Sequence, residues 1–111
     1  MFQRAVELAK TATELMPQEG KYQRTLGLAL YRNGDWKGAV AALEKSAQLA
    51  SGGDGEDWIL LAMAHWQLGH KAEARKWADK AFASLKKDAS KNERLRWLCL
   101  EAQALGLKEN P

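Results

Sequence analysis

The chain has 111 residues and a formal net charge of +3 from 17 basic and 14 acidic side chains, a length that suits one compact domain or a few short repeats. With 46% apolar and 28% charged residues it is too apolar and too weakly charged for disorder, and its one cysteine, Cys99, excludes an internal disulfide and a multi-thiolate metal site. The few β-branched residues (Val6, Val40, Ile59, Thr11, Thr13 and Thr25) argue against a β-rich fold.

The first segment, residues 3–15, places Val6, Ala9, Ala12 and Thr13 on one face, and Pro17 stops it. A second follows over residues 21–32 and ends at Asn33-Gly34-Asp35. Asp35 reads as the N-cap of a third, residues 36–49. After Ser51-Gly52-Gly53-Asp54-Gly55, Asp54 can cap a fourth over residues 56–67. Leu68-Gly69-His70 separates it from a fifth, residues 71–85. Ser90-Lys91-Asn92-Glu93 reads as a capping box that opens a sixth helix, ended near Leu105 by Gly106. Leu95, Leu98, Cys99, Ala102 and Leu105 would form its apolar face. The expected fold is all-α with about six helices.

The strongest pattern is a repeat. Gly34 and Gly69 are 35 residues apart, and at that offset Leu26 meets Leu61, Gly27 meets Ala62, Tyr31 meets Trp66 and Ala39 meets Ala74. Small residues recur where helix backbones approach closely, and large ones where a gap must be filled. Ala5, Ala9 and Ala12 lie 34 residues before Ala39, Leu43 and Ser46, so the first segment reads as a second helix whose first helix is absent.

This pattern resembles the tetratricopeptide repeat family on two stretches. One is Leu26-Gly27, Leu30, Gly34-Asp35-Trp36, Ala39, Leu43 and Ser46; the other is Trp58, Leu61-Ala62, His65, Gly69, Ala74, Ala78 and Ala81. The resemblance implies a right-handed α-solenoid of antiparallel helix hairpins. It divides a single domain over residues 1–111 into an orphan helix (3–17), two repeats (20–51 and 55–86) and a C-terminal capping helix (90–106). The sixth helix places Arg96 where a small residue would be expected, which favours a cap over a new repeat. The stretches also look like the tails of large bacterial multidomain proteins, so a fragment of a longer protein is the expectation.

In tetratricopeptide repeat proteins the inner face of the first helices contacts partner peptides or helices. The matching residues here are Arg24, Leu28, Tyr31 and Arg32, and, 35 residues on, Ile59, Met63, Trp66 and Gln67. An apolar floor edged by Arg suits a segment with apolar side chains and a carboxylate or two. The alternative is that the last helix covers Met63 and Trp66 and makes them core. The resemblance implies a non-catalytic interaction module. A self-associating scaffold segment, in which the orphan helix pairs between copies, is the competing reading. Leu28 and Leu60 stand where relatives that clamp a C-terminal carboxylate carry Asn, which argues against such a clamp.

Residues 71–96 hold nine basic and four acidic side chains, with Lys71, Arg75, Lys76 and Lys80 striping one helix. That stripe reads as a solvated helix back, not a nucleic-acid surface, because only Trp77 accompanies it. A pentatricopeptide-type RNA reader would need polar faces where these are apolar. His65 and His70 are five apart with no thiolate nearby, so no metal is expected. No cofactor is expected either, since Gly52-Gly53-Asp54-Gly55 lacks the Gly-Lys-Ser/Thr of a phosphate loop. Partners are expected to be proteins, with no nucleic acid and no membrane. A lone thiol and no leader-like apolar stretch point to the cytoplasm.

Overall fold

The computed structural model describes residues 2–88 and 92–108. Among these residues the chain is all-α, with no strand. The order is α1 (Gln3–Leu15), α2 (Gly20–Arg32), α3 (Trp36–Leu49), α4 (Gly55–Gln67), α5 (Lys71–Asp88) and α6 (Glu93–Leu105). None of the helices is long and apolar enough to cross a membrane.

Side chains close the helix starts where expected. Asp35 accepts from the Gly38 N–H at 2.9 Å and opens α3. At α4, Asp54 accepts from the Glu56 and Asp57 N–H groups, while Asp57 accepts from the Asp54 N–H at 3.4 Å. This reciprocal box satisfies donors that the helix itself leaves open. The last helix differs from expectation. Its N-cap is Asn92, whose side chain accepts from the Leu95 N–H at 3.0 Å, and it begins at Glu93. Ser90 and Lys91 of the expected box lie outside the described residues. The fifth helix runs on to Asp88, because Lys86 and Lys87 are good helix formers and no Gly or Pro interrupts them.

The two hairpin turns are alike in atomic detail. After α2, the Asp35 N–H donates to the Leu30 carbonyl at 2.9 Å; after α4, the His70 N–H donates to the His65 carbonyl at 2.9 Å. Between them sit Gly34 and Gly69 with φ of +85° and +83°, left-handed positions that favour glycine. Each turn therefore reverses the chain by the same hydrogen-bonded motif, 35 residues apart.

The chain divides into two compact units, residues 1–53 and 54–111. In the first, α2 packs on α1 and α3. The α2–α3 pair is antiparallel: Gly20, at the start of α2, lies beside Ser46 and Leu49 near the end of α3. Ser46 Oγ donates to the Gly20 carbonyl at 3.1 Å. Midway along, a Cβ on Gly27 would stand 2.6 Å from Leu43 Cγ, so only glycine lets the two backbones approach this closely. Val6 and Ala9 of α1 are buried, and the Asn33 side chain donates to Gln3 Oε1 at 3.2 Å, holding the start of α1 to the end of α2.

In the second unit α4 packs on α5 and α6. The side chain of Leu95, early in α6, lies 2.7 Å from where a Cβ on Gly55 would stand, at the start of α4. The backbone of Gly106, at the end of α6, lies against the Trp66 ring near the end of α4. The sixth helix thus runs in the same direction as α4. Leu95, Leu98, Cys99 and Ala102 are buried, and Leu107 adds a further buried side chain after the helix. At about 1.5–3 kcal/mol for each fully buried large apolar side chain, this face is what fixes α6.

Candidate partner-binding site

The eight residues expected to meet a partner divide by unit. On α2, Arg24 and Leu28 are half-buried, Arg32 is exposed and Tyr31 is buried. The Arg32 guanidinium lies 5.8 Å from the Tyr31 ring centroid, so the two form one cation–π unit with the charge on the outside. On α4, Trp66 and Gln67 are half-buried, whereas Ile59 and Met63 are 0% exposed.

Ile59 and Met63 are therefore core and present no surface to a partner. Ile59-Leu60-Leu61-Ala62-Met63-Ala64 is an unbroken apolar run, every member buried to 1% exposure or less. A helix apolar all round has no solvent side. The matching run on α2 is broken by Arg24 and Thr25, which leaves that helix a face for water. Trp66 is partly covered: Gly106 of α6 lies against its ring and the Lys71 ammonium sits 5.3 Å from its centroid.

What α2 presents is an apolar groove with α1. Phe2, Ala5, Thr25, Leu28, Ala29 and Arg32 line a cleft of about 270 Å³. Of these, Leu28 and Arg32 were legible as site residues, whereas Phe2, Ala5, Thr25 and Ala29 were not. The 35-residue register carries the missing signal. Positions 25, 28, 29 and 32 become Leu60, Met63, Ala64 and Gln67 on α4, and Leu95, Leu98, Cys99 and Ala102 on α6. All but Gln67 of those later residues are buried. In the first copy Thr25 and Arg32 are exposed and Leu28 half-buried, and only Ala29 is buried.

The same register places Trp97 and not Arg96 at the position of Ala62 on α6. Thirty-five residues beyond Ala62, where a small residue is expected, stands Trp97, and Arg96 is one place earlier. Trp97 is 69% exposed.

The lysine stripe on α5 has more aromatic company than expected. Lys80 lies 4.7 Å from the Trp58 centroid and 5.0 Å from that of Trp77, and Lys76 lies 5.4 Å from Trp77. Arg75 pairs with Asp79 at 3.0 Å. These cations are engaged by neighbours in their own unit. Trp58, Lys80, Ala83, Ser84 and Lys87 enclose a second cleft of about 300 Å³. His65 and His70 meet through their Nδ1 atoms at 3.1 Å, so one ring donates and the other accepts. Among the described residues no three His, Cys, Asp or Glu side chains are grouped to hold a metal ion.

Residues 60–87 match the family model described as tetratricopeptide repeat. That span is most of the α4–α5 hairpin. No curated protein matches the chain.

Proposed function

We propose, from the match of residues 60–87 to the tetratricopeptide repeat model, that the chain is a non-catalytic protein–protein interaction module acting in the cytoplasm. Its partner presents an amphipathic helix or a short apolar peptide to the first hairpin. The observation that carries this reading is the α1–α2 groove, on a face whose later copies are buried at every position but Gln67. Leu28 and Ala29 supply the apolar floor, and Arg32 in the same lining adds a positive charge suited to a carboxylate on the partner. Of the original eight residues, Ile59 and Met63 act as core, and Trp66 and Gln67 lie outside this groove.

Capture of partners on immobilised protein tests the reading. Leu28→Glu places a charge on the groove floor and is expected to weaken capture at least about tenfold, the loss of one interface anchor, with far-UV helicity unchanged. Capture that is indifferent to Leu28→Glu refutes it. A second reading, self-association, has its own support in the exposure of Leu8, Leu15, Trp97 and Leu100.

A further inference from the structure

Packing within the repeat accounts for residues that both hairpins share, so residues found in one copy alone point to another use. The cleft at the open end of the second hairpin is such a place. Trp58, Lys80, Ala83, Ser84 and Lys87 line it, and all belong to the second unit. Ser84 Oγ lies 3.0 Å from where a Gly55 Cβ would stand, which sets the last turns of α5 beside the start of α4. Thirty-five residues earlier stand Gln23, Lys45, Gln48, Leu49 and Gly52, with no aromatic wall and one lysine in place of two.

The positive charge of this cleft is unbalanced. Lys80 and Lys87 are exposed, and among the described residues neither meets a carboxylate. The acids nearby are engaged elsewhere. Asp79 pairs with Arg75, Asp54 and Asp57 close the start of α4, and Glu56 lies 3.3 Å from Arg94. The Lys80 ammonium is held over two indoles, 4.7 Å from the Trp58 centroid and 5.0 Å from that of Trp77. A ring face orients a cation without neutralising it, so Lys80 stays available to an anion. The same contacts disfavour nucleic acid, because ammonium groups lie where a base would have to stack. At about 300 Å³ the cleft has room for one or two side chains.

We propose that this cleft docks an acidic peptide of a protein partner. One apolar side chain of that peptide sits between Trp58 and Ala83, and the carboxylates beside it meet Lys80 and Lys87. This site is separate from the groove of the first hairpin and does not depend on it.

Fluorescence anisotropy on the 111-residue chain, with a labelled, terminally blocked peptide of alternating Glu and Leu at low salt, tests this. Saturable binding is expected, and the Kd is expected to rise at least about tenfold when Lys80→Gln and Lys87→Gln are combined. Both side chains are exposed, so helicity by circular dichroism is expected to hold. Lys37→Gln with Lys45→Gln removes the same charge from exposed places on α3 and is expected to change the Kd by less than about twofold. Ala83→Glu puts a like charge into the cleft and is expected to abolish binding, whereas Leu28→Glu leaves it unchanged. Equal weakening by the two lysine pairs overturns the proposal, since net charge alone then attracts the peptide. Weakening by Leu28→Glu, with none from the Lys80 and Lys87 pair, places the peptide in the first groove and overturns it too. So does equal binding of the peptide with Gln for Glu, or tighter binding of an oligothymidylate of equal charge. Absence of binding at millimolar peptide overturns it outright.

Discussion

The contact between Gly27 and Leu43 shows how one missing side chain organises a hairpin. A Cβ at Gly27 would lie 2.6 Å from Leu43 Cγ and 2.7 Å from its Cδ2, and Leu43 is fully buried. Gly27→Ala gains up to about 1 kcal/mol of helix propensity. Overpacking a filled interior costs about 1–3 kcal/mol, so the net effect expected is a lowered midpoint in thermal unfolding. A raised midpoint would show that Leu43 has room to move. The second hairpin carries Ala62 at this place without difficulty, because Ala78 stands where Leu43 does. The two copies thus fill the crossing differently: one sets glycine against leucine, the other alanine against alanine.

Helix boundaries were legible wherever the signal was local. Asp35 and Asp54 announce α3 and α4 by chemistry that operates within one turn, and both cap as anticipated. Asp35→Ala is expected to cost about 1 kcal/mol, the usual loss of an N-cap, read as a lower midpoint in urea with an unchanged slope. No change would mean that the Gly38 N–H finds an equivalent acceptor. The last helix was less legible, since Asn92 and Ser90 are both able caps and nothing nearby discriminates between them. The capping carboxamide of Asn92 also reaches Glu56 of α4 at 3.5 Å, a tertiary contact no local pattern predicts.

The repeat, and with it the fold class, could be read from the chain because the 35-residue period is written in glycines and alanines that packing requires. The candidate site could be read only in part. Equivalent positions in the two repeats were read as one surface, with cover by the last helix as the alternative for Met63 and Trp66; Arg24 and Leu28 keep some exposure while Ile59 and Met63 have none. Accessibility depends on which helices gather round a residue, and periodicity records only which face it occupies. The unbroken apolar run of residues 59–64 carries this warning in the sequence itself. Exposure also sorts the five tryptophans, for Trp36, Trp58, Trp66 and Trp77 are half-buried and Trp97 alone is largely open to water.

That asymmetry gives the molecule a built-in optical reporter. An indole bathed in solvent emits at long wavelength and is readily quenched by acrylamide, whereas a shielded one emits further to the blue and resists the quencher. The most accessible part of the fluorescence in dilute solution is therefore expected to belong to Trp97 and to fall markedly in Trp97→Phe. Its wavelength would then register, without any label, the moment something settles over the outer side of the last helix.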